Sequence, residues 1–232
     1  MRKAVQKQIG GLKTLTLEGK VGGSCIVLFH GYGADASDLI PLSDMLGLGE
    51  GVTWVFPEGP MEVIIAPGSH GKAWFQIDVS RLEKSMLSGE PVDMSQTTPS
   101  GIERARKNAT LMYDEVLKKH SRIILGGFSQ GAMLATDLSL NHKVKPEALL
   151  VMSGTLICSD RWRSELKSCE GLDFIQSHGK NDVILGYEYA ENLYQFLTDG
   201  GMNGEFIGFS GGHEIPNKVI QSISQFLKHK LG

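Results

Sequence analysis

Gly127-Phe128-Ser129-Gln130-Gly131 stands between a short apolar run, Arg122-Ile123-Ile124-Leu125-Gly126, and a segment that opens like a helix, Ala132-Met133-Leu134-Ala135. The apolar run reads as a buried strand. A Gly-x-Ser-x-Gly turn between a strand and a helix is a nucleophile elbow. Such a turn is so tight that its serine takes a strained backbone conformation and lifts its hydroxyl out of the end of the sheet. Outside that context the same five residues would be an ordinary glycine-rich turn. Ser129 is therefore the candidate nucleophile, and the layout around it must alternate strand and helix.

The rest of the chain keeps that alternation. Leu12 to Leu17 alternates apolar and polar residues, as an edge strand with one buried face does. Continuous apolar runs follow at Cys25–Phe29, Thr53–Phe56, Ile123–Leu125, Ala148–Met152 and Leu172–Ile175, with a last strand at Glu205–Phe209. Continuous apolarity fits strands covered on both faces. Between them, Ile102, Ala105, Ala109, Met112, Tyr113, Val116 and Leu117 form one helical stripe, with Ser100 as its expected N-cap. Tyr189, Leu193, Phe196 and Leu197 form a second stripe, closed by Gly200-Gly201; Val219, Ile220, Ile223, Phe226 and Leu227 form the last. The expected fold is α/β, a mainly parallel sheet with helices on both faces. At 232 residues the chain is read as one domain, 1–232.

One stretch breaks the rhythm. About forty residues, 58–99, carry several prolines and little regular pattern. A segment of this kind is usually functional, and it is the expected lid or substrate-binding insertion.

A serine hydroxyl needs a base, and the base needs an acid to orient and balance it. In this topology both follow the serine, acid before histidine. His213, in Ser210-Gly211-Gly212-His213, comes directly after the last strand and is the candidate base. Asp182 ends the loop Ser177-His178-Gly179-Lys180-Asn181-Asp182 after the preceding strand and is the candidate acid. His178 comes too early for the base and reads as a brace of its own loop. His142, in a polar turn, reads as solvated. The oxyanion of an acyl-transfer intermediate needs backbone donors. The N–H of Gln130, after the nucleophile, and that of Tyr32, in His30-Gly31-Tyr32-Gly33, are the candidates. His30 reads as structural.

Composition narrows the function classes. The formal net charge is −3, without a dense basic stretch, so no nucleic-acid partner is expected. No apolar run reaches the roughly 18 residues of a membrane span. Three cysteines, Cys25, Cys158 and Cys169, lack metal-ligand spacing and are an odd number. They imply neither a disulfide framework nor a metal site, and they fit a reducing, cytoplasmic setting.

Taken together, five segments resemble the phospholipase/carboxylesterase family of α/β-hydrolases, which includes the acyl-protein thioesterases. They are Leu28–Gly33, Ala73-Trp74-Phe75, Gly126–Ala132, Ser177-His178-Gly179 with Asp182, and Gly212–Ile215. The resemblance implies a compact hydrolase without a large cap domain, needing no cofactor or metal. It puts the triad on Ser129, Asp182 and His213 and the oxyanion donors on Tyr32 and Gln130. The implied substrates are small-molecule esters or acyl thioesters; acylated proteins or lysophospholipids are the longer-chain alternative. A non-catalytic ligand receptor is the reading from another class. Trp74, Ile64 and Met86 are the expected substrate-binding residues. The chain departs from the family at Gln76, where an aspartate is usual, and at Val183-Ile184-Leu185-Gly186, where prolines are usual. Oligomeric state stays open.

Overall fold

The computed structural model describes residues 2–231, apart from the side chains of residues 82, 83, 85 and 86. Its centre is an eight-stranded sheet of β1 (Val5–Ile9), β2 (Leu12–Leu17), β3 (Cys25–Phe29), β4 (Thr53–Pro57), β7 (Ile123–Phe128), β8 (Ala148–Met152), β9 (Asp173–Gly179) and β10 (Asn203–Phe209). β5 (Met61–Ala66) and β6 (Ser69–Ala73) form a separate antiparallel hairpin. The order across the large sheet is β1-β2-β4-β3-β7-β8-β9-β10. β2 pairs antiparallel with both β1 and β4, and β4, β3, β7, β8, β9 and β10 run parallel.

The apolar runs are continuous because successive side chains enter different cores. Cys25, Val27 and Phe29 point to the layer of α3 (Ile102–Leu117), α4 (Gln130–Asn141), α5 (Ser159–Glu165) and α6 (Tyr187–Asp199). Ile26 and Leu28 point to the layer of α1 (Leu42–Met45) and α7 (Asn217–Leu231). Strand period two thus fills both faces. Fully burying each such side chain contributes about 1.5–3 kcal/mol.

Four expectations need correction. β2 is not the edge: β1 lies outside it, joined by Gly10-Gly11. Both glycines have positive φ (56° and 86°), as a tight hairpin requires. The α3 N-cap is Gly101 at φ 89°, and Ser100 instead gives its carbonyl to the Gln76 N–H at 2.9 Å. His142 is not solvated. Its Nε2 is 3.1 Å from Asp114, and its ring stands edge-on to Tyr113. The 58–99 segment is more regular than its sequence suggests, containing the β5–β6 hairpin and a helix, α2 (Val79–Ser88).

Candidate active site

β7 ends in the elbow. Ser129 has φ 55° and ψ −121°, a conformation that costs a non-glycine residue roughly 1–3 kcal/mol. Hydrogen bonds around it offset that cost. Its N–H donates to the Met152 carbonyl (2.8 Å), and its carbonyl accepts the N–H groups of Ala132 (3.0 Å) and Met133 (3.2 Å). α4 is held from behind, since Gln130 through Leu140 are all buried. A Cβ on Gly131 would collide with the Phe29 and His30 carbonyls, so only glycine lets α4 press against the end of β3. That approach brings the loop after β3 onto the elbow: a Cβ on Gly31 would be 3.4 Å from the Ser129 Cβ.

The loops after β9 and β10 are bound to each other. The Lys180 N–H donates to Phe209 (2.8 Å) and the Asn181 N–H to Gly211 (2.9 Å). Asp182 and His213 therefore meet, with Nδ1 of His213 2.6 Å from Oδ2 of Asp182. The His213 ring also packs 4.8 Å from that of Phe128, the residue before Ser129. Asp182 is 5% exposed and fully occupied. Oδ1 accepts the N–H groups of Ile184 and Leu185, each at 2.9 Å. Oδ2 faces His213 and, at 3.2 Å, Nε2 of His178. Burial alone would push this carboxyl upward. Hydrogen bonds from His178 and His213, the charge of His213 and the Leu185 N–H outweigh it and hold the group well below the usual carboxylate range. Asp182 is thus an acceptor only. Nδ1 of His213 must donate, which leaves Nε2 with the lone pair a base needs.

The two candidate oxyanion donors are held in different ways. Gln130 begins α4, so its N–H has no intrahelical acceptor and lies at the positive end of the helix dipole. Tyr32 is half-buried in a loop pinned on several sides. Nδ1 of His30 donates to the Gly31 carbonyl (2.7 Å), and its Nε2 accepts the Gly59 N–H (2.9 Å). Burial pushes the imidazole pKa down, so His30 is a neutral brace with one defined tautomer. Gly33 N–H donates to the Lys72 carbonyl and Lys72 N–H to the Ala34 carbonyl, both at 2.8 Å.

Two of the expected substrate-binding residues occupy different settings. Trp74 has no exposed surface; its Nε1 donates to the His30 carbonyl (2.9 Å), and its ring meets those of Phe29 and His30. Ile64 is 73% exposed on the hairpin. The Met86 side chain lies outside the described residues. A pocket of about 290 Å³ opens within the insertion, lined among others by Gln76, Ile77, Val92, Met94 and Thr97.

The sequence reading missed the Gln130 side chain. It is completely buried, with Oε1 accepting the Trp74 N–H (2.9 Å) and Nε2 donating to the Phe75 carbonyl (2.8 Å). The insertion is thereby clamped to the elbow. Also missed was Asp137, buried on α4 and bonded to Arg106, Arg161 and Trp162. A lone charged residue in an otherwise uncharged helix was the available signal. Among the described residues, no group of three or more His, Cys, Asp or Glu side chains is placed to hold a metal ion.

A family profile described as Phospholipase/Carboxylesterase matches residues 19–231. The chain belongs to this phospholipase/carboxylesterase family. Among curated relatives, Carboxylesterase SOBER1 of Arabidopsis thaliana is 24% identical over 214 residues, covering 89% of this chain and 90% of the relative. Acyl-protein thioesterase 1 of Eremothecium gossypii is 27% identical, covering 88% and 87%. The crystal structure of esterase PE8 superposes with a TM-score of 0.78 at 23% identity, covering 99% of this chain and all of that one. Zea mays acyl-protein thioesterase 2 gives 0.76 at 20% identity, covering 94% and 99%. The fold is that of the α/β-hydrolases, and the described residues include no large cap domain. No helix among the described residues is long and apolar enough to cross a membrane.

Proposed function

We propose that this member of the family hydrolyses carboxylic esters, and acyl thioesters by the same chemistry, through an acyl-enzyme on Ser129. One observation supports the reading above the others. His213 Nδ1 donates to a buried, ionised Asp182 at 2.6 Å, leaving Nε2 as a base at the sheet end that carries the strained serine.

In this mechanism His213 Nε2 takes the Ser129 hydroxyl proton as Oγ adds to the substrate carbonyl. The Tyr32 and Gln130 N–H groups receive the oxyanion. The intermediate collapses, and the imidazolium returns its proton to the departing alkoxide or thiolate. Water, deprotonated by His213, then releases the acid and restores Ser129. The insertion 58–99 supplies the acyl-side wall, with the pocket bounded by Val92 and Met94 as the seat of the chain and Trp74 as support beneath the oxyanion loop. Acylated proteins and lysophospholipids are the longer substrates that this reading admits, as the relatives named acyl-protein thioesterases suggest. Three free, buried cysteines support a reducing, cytoplasmic setting.

A fluorophosphonate probe and p-nitrophenyl acetate test the reading together. Wild-type protein should label once and hydrolyse the ester. Ser129→Ala should do neither while keeping its melting temperature, with kcat lower by about a thousandfold or more. Near-normal turnover in folded Ser129→Ala would overturn it.

A further inference from the structure

The proposed cycle leaves one buried titratable side chain unused. His178, near the end of β9, has no exposed surface. Its Nε2 lies 2.5 Å from the Leu185 carbonyl and 3.2 Å from Oδ2 of Asp182. Both neighbours are acceptors, so the ring proton sits on Nε2. Among the described residues, Nδ1 is buried without a hydrogen-bond partner. Nε2 is the one nitrogen of His178 with polar neighbours, and it faces the same carboxylate oxygen as His213.

We propose that His178 is a positioning residue for the Asp182–His213 pair, an inference that rests on the triad reading above. A carboxylate turns about its last torsion as a broad two-fold rotor. Oδ1 is fixed by two backbone N–H groups, but the plane that aims Oδ2 at His213 is set by what else Oδ2 meets. Among the described residues that is Nε2 of His178. The same proton also faces the carbonyl of Leu185, whose N–H feeds Oδ1. One side chain thus closes a ring through the Asp182–Leu185 turn and stabilises the negative charge. A brace of the loop alone would act through Leu185 and leave the Asp182–His213 hydrogen bond unchanged.

Two substitutions separate these roles. His178→Gln keeps an N–H of similar reach; His178→Leu fills the space without a donor. The readouts are kcat and KM for p-nitrophenyl acetate, the melting temperature, and the low-field proton resonance of the His213 Nδ1–H. His178→Leu should lose about tenfold to a hundredfold in kcat, as expected for removing one hydrogen bond to a charged group, with KM little changed and the resonance moved. His178→Gln should recover most of both. In wild-type protein, nitrogen-15 spectra should show His178 as the Nε2–H tautomer, a measurement independent of whether a variant folds. An Nδ1–H tautomer would overturn the proposal. So would a folded His178→Leu protein with normal kcat and an unmoved resonance, or a His178→Gln protein as slow as His178→Leu at equal stability. A wild-type protein that fails to take the fluorophosphonate would instead sink the triad reading beneath it.

Discussion

Replacing Asp182 by asparagine changes one heavy atom and disturbs three hydrogen bonds and a close polar contact. The carboxylate accepts Ile184 and Leu185 N–H groups on one oxygen and faces His178 and His213 on the other. An amide has one acceptor end and one donor end, so in either orientation its NH₂ confronts two N–H groups. Pointed at Oδ1's partners, it leaves two buried backbone donors unpaired. Pointed at the histidines, it drives the His213 proton from Nδ1 to Nε2, and the base loses its lone pair. The second arrangement is the outcome that matters for turnover, and a wrong tautomer of this kind costs about 10⁴ in kcat where it has been isolated. In the first arrangement each unsatisfied buried donor costs about 1–3 kcal/mol, so the two together lower the stability by roughly 2–6 kcal/mol. In a domain of this size that is roughly 4–24 °C of melting temperature. The pH dependence carries its own sign. The folded-state pKa of Asp182 is held below its unfolded value, so its contribution is complete above that unfolded value, about 3.9, and is lost as pH falls through the folded pKa. The part of the stability gap between wild type and Asp182→Asn that comes from the carboxylate should therefore narrow as pH falls below that value. Turnover of p-nitrophenyl acetate, calibrated against Ser129→Ala, reads the first effect; thermal unfolding across pH reads the second. A folded Asp182→Asn protein within about threefold of wild-type kcat would refute the assignment of the acid.

Two further substitutions probe the acyl wall and the frame. Met94→Gln should lower kcat/KM for hexanoate esters against acetate by about tenfold, because an apolar wall is worth about 1 kcal/mol or more per methylene. Ile64→Gln, on the exposed hairpin, should leave that ratio unchanged, and the opposite ranking would move the acyl chain to the hairpin. Asp137→Ala should cost about 3–5 kcal/mol, since Arg106 and Arg161 lose a buried partner and the Trp162 N–H is left without an acceptor. A melting temperature within about 2 °C of wild type would mean the network is dispensable.

What could be read in the sequence was whatever the core dictates. Val27 and Ile26 are apolar because both faces of β3 are covered, so the parallel strands announce themselves. The meeting of Asp182 with His213, at the sheet end that carries Ser129, was legible from chain order, because each of the three residues follows the C-terminal end of a parallel strand. β1 was not legible, because Val5–Ile9 is mostly exposed and is held by its backbone ladder with β2. Only Gly10-Gly11 hinted at it. The polar β6, Ser69–Ala73, owes its form to pairing with β5 and not to an apolar pattern. Gln130 gave no hint of its clamp, because Trp74 and Phe75 lie more than fifty residues away along the chain.

The two backbone hydrogen bonds of Lys72 bear on how this enzyme could be redesigned. Through them the β5–β6 hairpin lends an edge to Gly33 and Ala34, next to the proposed Tyr32 donor. Swinging the hairpin outward, or trimming it to admit a bulkier substrate, would strip that edge and slacken the oxyanion loop. A shortened hairpin should therefore lose kcat on every ester, small ones included. Diversification is better spent between Val92 and Thr97, where side chains line the pocket and the Lys72 bonds are left untouched.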